Sequence, residues 1–189
     1  VQHEGIHLVI VKVVFIWLLL TFMINGYLMT LPKLDFNKGD FPEKFLIHQK
    51  NRIDIQNKYE CAAFSTAYVL RHFGHEEDGF EVYANIPSKM KTGHVYPKGI
   101  RTYLKQEGFE TSYYKGNIHS LKKQISKGTP VIAFIKVRHN SNELHYVPVI
   151  GYDNDYLYIA ESLESLINYN EQNFNFNRKV EIDTFKQLW

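Results

Sequence analysis

Residues 60–73 read ECAAFSTAYVLRHF, and Gly74 follows. Three alanines, no internal Gly or Pro and a glycine directly after the last apolar position predict a helix with a C-terminal cap. Its apolar positions reach nearly around the axis as far as Leu70, so the helix is expected to be central and buried. Further helices are predicted over Pro97–Glu107, stopped by Gly108, and over His119–Lys127, stopped by Gly128. After them the pattern changes. PVIAFIKV at 130–137 is a short β-branched run, and two more strands are predicted at His145–Tyr152 and Tyr156–Ala160. Asp153-Asn154-Asp155 between those two is good hairpin-turn chemistry. A last strand, Lys179–Ile182, leads into Phe185–Trp189, and Ile53-Asp54-Ile55 is a candidate short strand. The asparagine-rich NYNEQNFNFN at 168–177 reads as an exposed loop. Helices first and antiparallel strands later argue for an α+β fold rather than a doubly wound sheet.

The 189 residues, 22.3 kDa, suit one globular domain with an appendage. A chain of this length buries enough surface to need no staples. Its single cysteine excludes an internal disulfide, a thiolate-rich zinc site and an iron–sulfur cluster. Lys+Arg 22 against Asp+Glu 20 leaves a net charge of +2 with no basic stripe, which argues against a nucleic-acid partner. No P-loop is present, so no nucleotide is expected, and no HExxH-like pair calls for a metal. No cofactor is expected.

Residues 6–29, IHLVIVKVVFIWLLLTFMINGYLM, are the greasy exception in a chain of mean hydropathy −0.31. As a helix they would extend about 36 Å, enough for a ~30 Å hydrocarbon layer. Three readings compete: a retained signal anchor, a cleaved secretory signal and a buried helix of the soluble part. The stretch ends without a small-x-small cleavage site, which favours the anchor and an extracytoplasmic, membrane-tethered or exported protein. The expected organisation is a hydrophobic transmembrane helix at 1–30, a tether at 31–50 and a folded domain at 51–189.

Cys61 lies in the first turn of the alanine-rich helix. A lone cysteine is ordinarily a small buried hydrophobe, but at a helix N-terminus the unpaired N–H groups favour a negatively charged sulfur, the form that attacks. Such a nucleophile needs a base held by a third group. Of the nine histidines, His3 and His7 belong to the greasy segment, His48 to the tether, and His72 and His75 to the far end of the Cys61 helix. His145 opens a strand directly after the polar loop 138–143, where a scaffold presents side chains to a cleft. Glu161 ends the next strand, and a tight antiparallel hairpin brings it beside His145, where a carboxylate fixes the imidazole tautomer. A developing oxyanion needs donors: the Cys61 backbone N–H is one, and the Gln56 side chain is a second, with Asn57 a weaker substitute.

Three stretches, QNKYECAAFSTAYVLRHFG at 56–74, KGTPVIAFIKV at 127–137 and HYVPVIGYDNDYLYIAES at 145–162, stand in an order that resembles the papain-like cysteine peptidases. The closest group is the one that includes the leader-cleaving domains of bacteriocin exporters, which cut after double-glycine leaders. The resemblance covers roughly 53–189, with Asn177-Arg178, Phe185 and Leu188-Trp189 resembling that family's closing strand and helix. It implies a papain-like fold in which a central Cys-bearing helix packs on a C-terminal antiparallel sheet. It also implies Cys61 as nucleophile, His145 as base, Glu161 in the Asp place and Gln56 in the oxyanion hole. Three departures stand out: Ala62 replaces a Gly, Glu161-Ser162 replaces Asp-Pro, and Gln56 is five residues before the cysteine rather than six.

The expected activity is hydrolysis of a peptide or protein substrate through an acyl-thioester. Two alternatives use the same residues: a degenerate domain that binds a peptide without cutting it, and a transglutaminase-like acyl transferase.

Overall fold

The structure is a computed structural model that describes residues 2–33, 41–170 and 175–189. The chain divides into two compact units, one holding the N-terminal helix together with residues 113–115, the other holding the rest.

In the first unit, α1 (Gln2–Thr30) is one continuous helix, and the apolar side chains described between Ile10 and Met23 are almost all exposed. Among the described residues no helix is long and apolar enough to cross a membrane. The membrane-spanning anchor expected over 6–29 is therefore not supported.

In the second unit, β1 (Phe45–Leu46) precedes the helices α2 (Cys61–His72), α3 (Gly79–Asn85), α4 (Pro97–Gln106) and α5 (Ile118–Ile125). Strands β2 (Val131–Lys136), β3 (Leu144–Tyr152), β4 (Tyr156–Ile159) and β5 (Arg178–Glu181) follow, and α6 (Ile182–Leu188) closes the chain. The strands form one antiparallel sheet centred on β3, which pairs β2 through Leu144–Val149, β1 through Gly151–Tyr152, and β4. β5 lies beyond β4. Helix α2 packs on β3, with α3 and α4 against its other sides, while α5 covers β2 and β3. The α+β expectation stands, with α2–α5 ahead of the antiparallel strands β2–β5.

Helix α2 is buried from Cys61 through Leu70, as its all-round apolar pattern requires. Gly74 ends it at φ +89, a left-handed conformation that a side chain disfavours. Its N–H reaches the Arg71 carbonyl while His75 N–H reaches Leu70, which satisfies two orphaned carbonyls.

Three local expectations are corrected. Ile53–Ile55 is irregular rather than a strand, and the strand lies earlier, at Phe45–Leu46, inside the stretch expected as a tether. Ile47 next to it is part of the sheet's core, so burial of Ile47, Phe45 and Leu46 draws this segment onto β3. Helix α3 was not expected, because a seven-residue GFEVYAN carries no readable period; Asp78 nucleates it by accepting the Phe80 and Glu81 N–H groups. The asparagine-rich loop is not exposed throughout: Asn175 and Phe176 are buried, Asn175 donating to the Ile47 carbonyl, while residues 171–174 lie outside the described residues.

Gly99 in α4 sits where the chain crosses closely. A Cβ there would lie 2.3 Å from the Pro87 carbonyl oxygen and 2.6 Å from Val95 Cγ1. Gly99→Ala is expected to cost about 1–3 kcal/mol, because backbone has to move to make room. A urea melt reads this as a lowered midpoint, and an unchanged midpoint would mean that the 87–95 segment yields freely.

Candidate active site

The N-terminal end of α2, the first residues of β3 and the segment leaving β4 converge. Cys61 begins α2, where the Ala63 and Phe64 N–H groups both donate to the Glu60 carbonyl and no side chain caps the helix. The position of α2 along β3 is pinned one turn further on, where the Ser65 hydroxyl donates to the Tyr146 carbonyl at 2.9 Å. That bond ties the cysteine's helix to the residue after His145. The loop entering α2 is held as well, since Arg71 donates to the Asn51 side chain and the Arg52 carbonyl and lies 3.2 Å from Asp54.

His145 Nε2–H donates to Glu161 Oε1 at 2.6 Å, and Cys61 is near enough to the imidazole to favour its charged form. With Nε2 taken by the carboxylate, Nδ1 is the ring nitrogen left for the sulfur. All three residues are nearly shut off from solvent: Cys61 is 5 % exposed, His145 2 % and Glu161 0 %. The thiol therefore sits deeper than a helix-start cysteine facing an open cleft would.

Glu161 does not lie directly across from His145. Continuing the Val149–Ile159 pairing places it opposite Val147, two residues along β3 on the same face. A carboxylate reaching diagonally benefits from the extra methylene of Glu over Asp. Its backbone is clamped by Asn177, whose Oδ1 accepts the Glu161 N–H at 2.7 Å and whose Nδ2 donates to the Glu161 carbonyl at 2.8 Å. Its second oxygen, Oε2, accepts from Arg178 at 2.8 Å, and Oε1 also accepts the Leu163 N–H.

Burial by itself lowers the pKa of His145, but hydrogen bonds to Cys61 and Glu161 and the charges on both outweigh it and lift the imidazole to about 9. Burial pushes the Glu161 carboxyl up, yet the hydrogen bond and charge of His145, the Arg178 charge and the Leu163 N–H together hold it below its ordinary value. The two shifts describe one ion pair seen from both ends.

Gln56 is buried beside this set. Its Nε2 donates to the Lys58 carbonyl at 3.0 Å and its Oε1 accepts from the Ser162 hydroxyl at 2.7 Å. A carbonyl only accepts, so the Lys58 contact fixes which end of the amide is nitrogen. The main chain repeats the link, with Gln56 N–H donating to the Ser162 carbonyl. Asn57 next to it is exposed.

A model of the Peptidase_C39 like family matches residues 45–189. The chain belongs to that family. The crystal structure of a Bacillus anthracis protein named for its likeness to the C39 peptidases has the same fold, with a TM-score of 0.58 over 78 % of this chain and 92 % of that one at 19 % identity. No curated protein matches this C39-like chain.

Of the residues that the sequence singled out, Cys61, His145 and Glu161 meet in this C39-like chain, and Gln56 reaches the same region through Ser162. Arg178, Asn177 and Ser65 were not read as parts of the site. Asn177-Arg178 stood in the sequence only as part of the closing strand, and no local signal says that a guanidinium at the start of β5 turns inward. Elsewhere, His75, Glu77 and Glu107 each bring a ligand atom within 4.8 Å of the others, on a partly buried surface past the end of α2.

Proposed function

We propose that this C39-like chain is a cysteine peptidase that hydrolyses a peptide or protein substrate through an acyl-thioester. The observation that supports the reading is a thiol at a helix N-terminus beside His145, whose imidazole a buried carboxylate orients at 2.6 Å.

Each residue has a role that its surroundings support. Cys61, as thiolate beside imidazolium, attacks the scissile carbonyl, forming an S–C bond and a tetrahedral oxyanion. His145 then gives its proton to the leaving amine as the C–N bond breaks. In the second half it takes a proton from water as that water attacks the thioester, and the sulfur leaves. Glu161 keeps the ring turned and stabilises its charged form. The Cys61 N–H at the start of α2 and the amide nitrogen of Gln56 are the donors for the oxyanion.

Gln56→Ala tests the last assignment. Removing one oxyanion donor is expected to lower kcat by about 10²-fold with little change in KM. Stopped assays on a cleaved peptide read this directly, and a variant within about threefold of wild type would leave the oxyanion to backbone donors alone. The whole reading is tested by a mass-spectrometric search for products of a peptide library incubated with wild type and with Cys61→Ala.

A further inference from the structure

We propose that Arg178 is a positioning residue of the cysteine site: from the start of β5 its buried guanidinium holds the Glu161 side chain as a carboxylate turned toward His145. The inference rests on the proposed roles of Cys61, His145 and Glu161 and adds a fourth member behind them.

Three observations carry it. First, the two carboxylate oxygens are divided. Oε1 serves His145 and the Leu163 N–H, and Oε2 serves Arg178, so the plane of the carboxyl group is fixed from both ends. Second, the grip is double. Asn177 holds both backbone groups of Glu161 while Arg178, the next residue, holds its side chain. Third, Arg178 is itself only 7 % exposed, so its charge is committed to this place.

The chemistry explains why a second cation is needed. During turnover His145 alternates between charged and neutral. Each time it surrenders its proton, a fully buried Glu161 would lose its counter-charge, and a carboxylate in that position takes up a proton or swings away. A guanidinium does not deprotonate in proteins, so Arg178 keeps Glu161 ionised through both halves of the cycle. The charged and titratable groups acting on Glu161 are His145 from β3 and Arg178 from β5, while Cys61 of α2 acts on the imidazole.

The experiment compares wild type, Arg178→Met and Arg178→Lys as full-length chains, with a thermal melt as folding control. The first readout is the rate of iodoacetamide alkylation across acid to alkaline pH. It is specific because the chain has one cysteine, and it needs no substrate. Loss of the guanidinium lets Glu161 take its proton at higher pH, so the acid edge of the Met profile moves up by about one pH unit. The second readout is turnover of a cleaved peptide, for which Met lowers kcat roughly tenfold or more with KM nearly unchanged. Lys restores both, because it keeps the charge.

A folded Met variant with the wild-type edge and kcat overturns the proposal, as does a Lys variant no better than Met. If Met does not fold, Lys against wild type decides: an unmoved acid edge supports the role and a shifted one overturns it. Failure of the peptidase reading looks different. Wild type then yields no product, or Cys61→Ala yields as much, and the alkylation arm still reports on Arg178.

Discussion

Cys61→Ala is expected to abolish peptide cleavage, lowering kcat/KM by at least about 10⁴-fold. The chain has one thiol, so no other sulfur can substitute. Alanine suits the position, since Ala62 and Ala63 already pack beside it at the start of α2 and the substitution removes a single atom. Fold and peptide binding should therefore persist while product disappears, and mass spectrometry of digests with a binding assay on the same samples separates the two. Cleavage that survives the substitution would end the peptidase reading. Peptide retained by both proteins with product from neither would identify a binding domain, and a product carrying an added amine would identify acyl transfer.

Glu161→Gln carries the second large effect, on activity and stability together. The amide keeps the shape but not the charge. The imidazole loses the share of its lift that Glu161 supplies, keeps the share from Cys61, and moves down from about 9. Since His145 must be protonated to release the amine, the alkaline edge of kcat/KM moves down from near 9, and kcat drops by roughly 10²-fold or more. An alkaline edge that stays put would sink the assignment of Glu161 as the residue that orients His145. The buried guanidinium of Arg178 is left facing a neutral group, which is expected to cost about 3–5 kcal/mol.

The pH dependence of stability follows from the same pair. His145 has a raised pKa in the folded chain, so its contribution is complete below 6.5 and is lost as pH rises through about 9. Glu161 has a depressed one, so its contribution is complete above 4.5 and is lost as pH falls through the lower folded value. Denaturant melts of wild type should show both flanks, and the Glu161→Gln variant should lose them.

Much of this was legible because it is written in local pattern. Gly74, Gly108 and Gly128 end the three helices read from the sequence, and each occupies the left-handed conformation that a stop of that kind uses. The hairpin around Asp153-Asn154-Asp155 was legible for the same reason: Asp153 Oδ1 accepts the Asp155 and Tyr156 N–H groups and closes the turn within three residues. That hairpin carries His145 and Glu161, so half of the site followed from a local motif. The missed elements are those held by distant partners. β1 exists because β3 offers it an edge, and Asn175-Phe176 are buried because Ile47 and Tyr68 lie over them.

The order of residues alone determined the α+β division, the position of the cysteine at a helix start, and the pairing of one histidine with one glutamate across a hairpin. Each depends on groups within about twenty positions, where chain stiffness and hydrogen-bond geometry leave few options. Only the packed structure decided that Arg178 faces Glu161, that Ser65 locks α2 onto β3 beside His145, and how little of the sulfur meets solvent. Those outcomes come from burying charged and polar groups that must then find one another across the core. Which partner each finds depends on which elements the hydrophobic effect has already stacked.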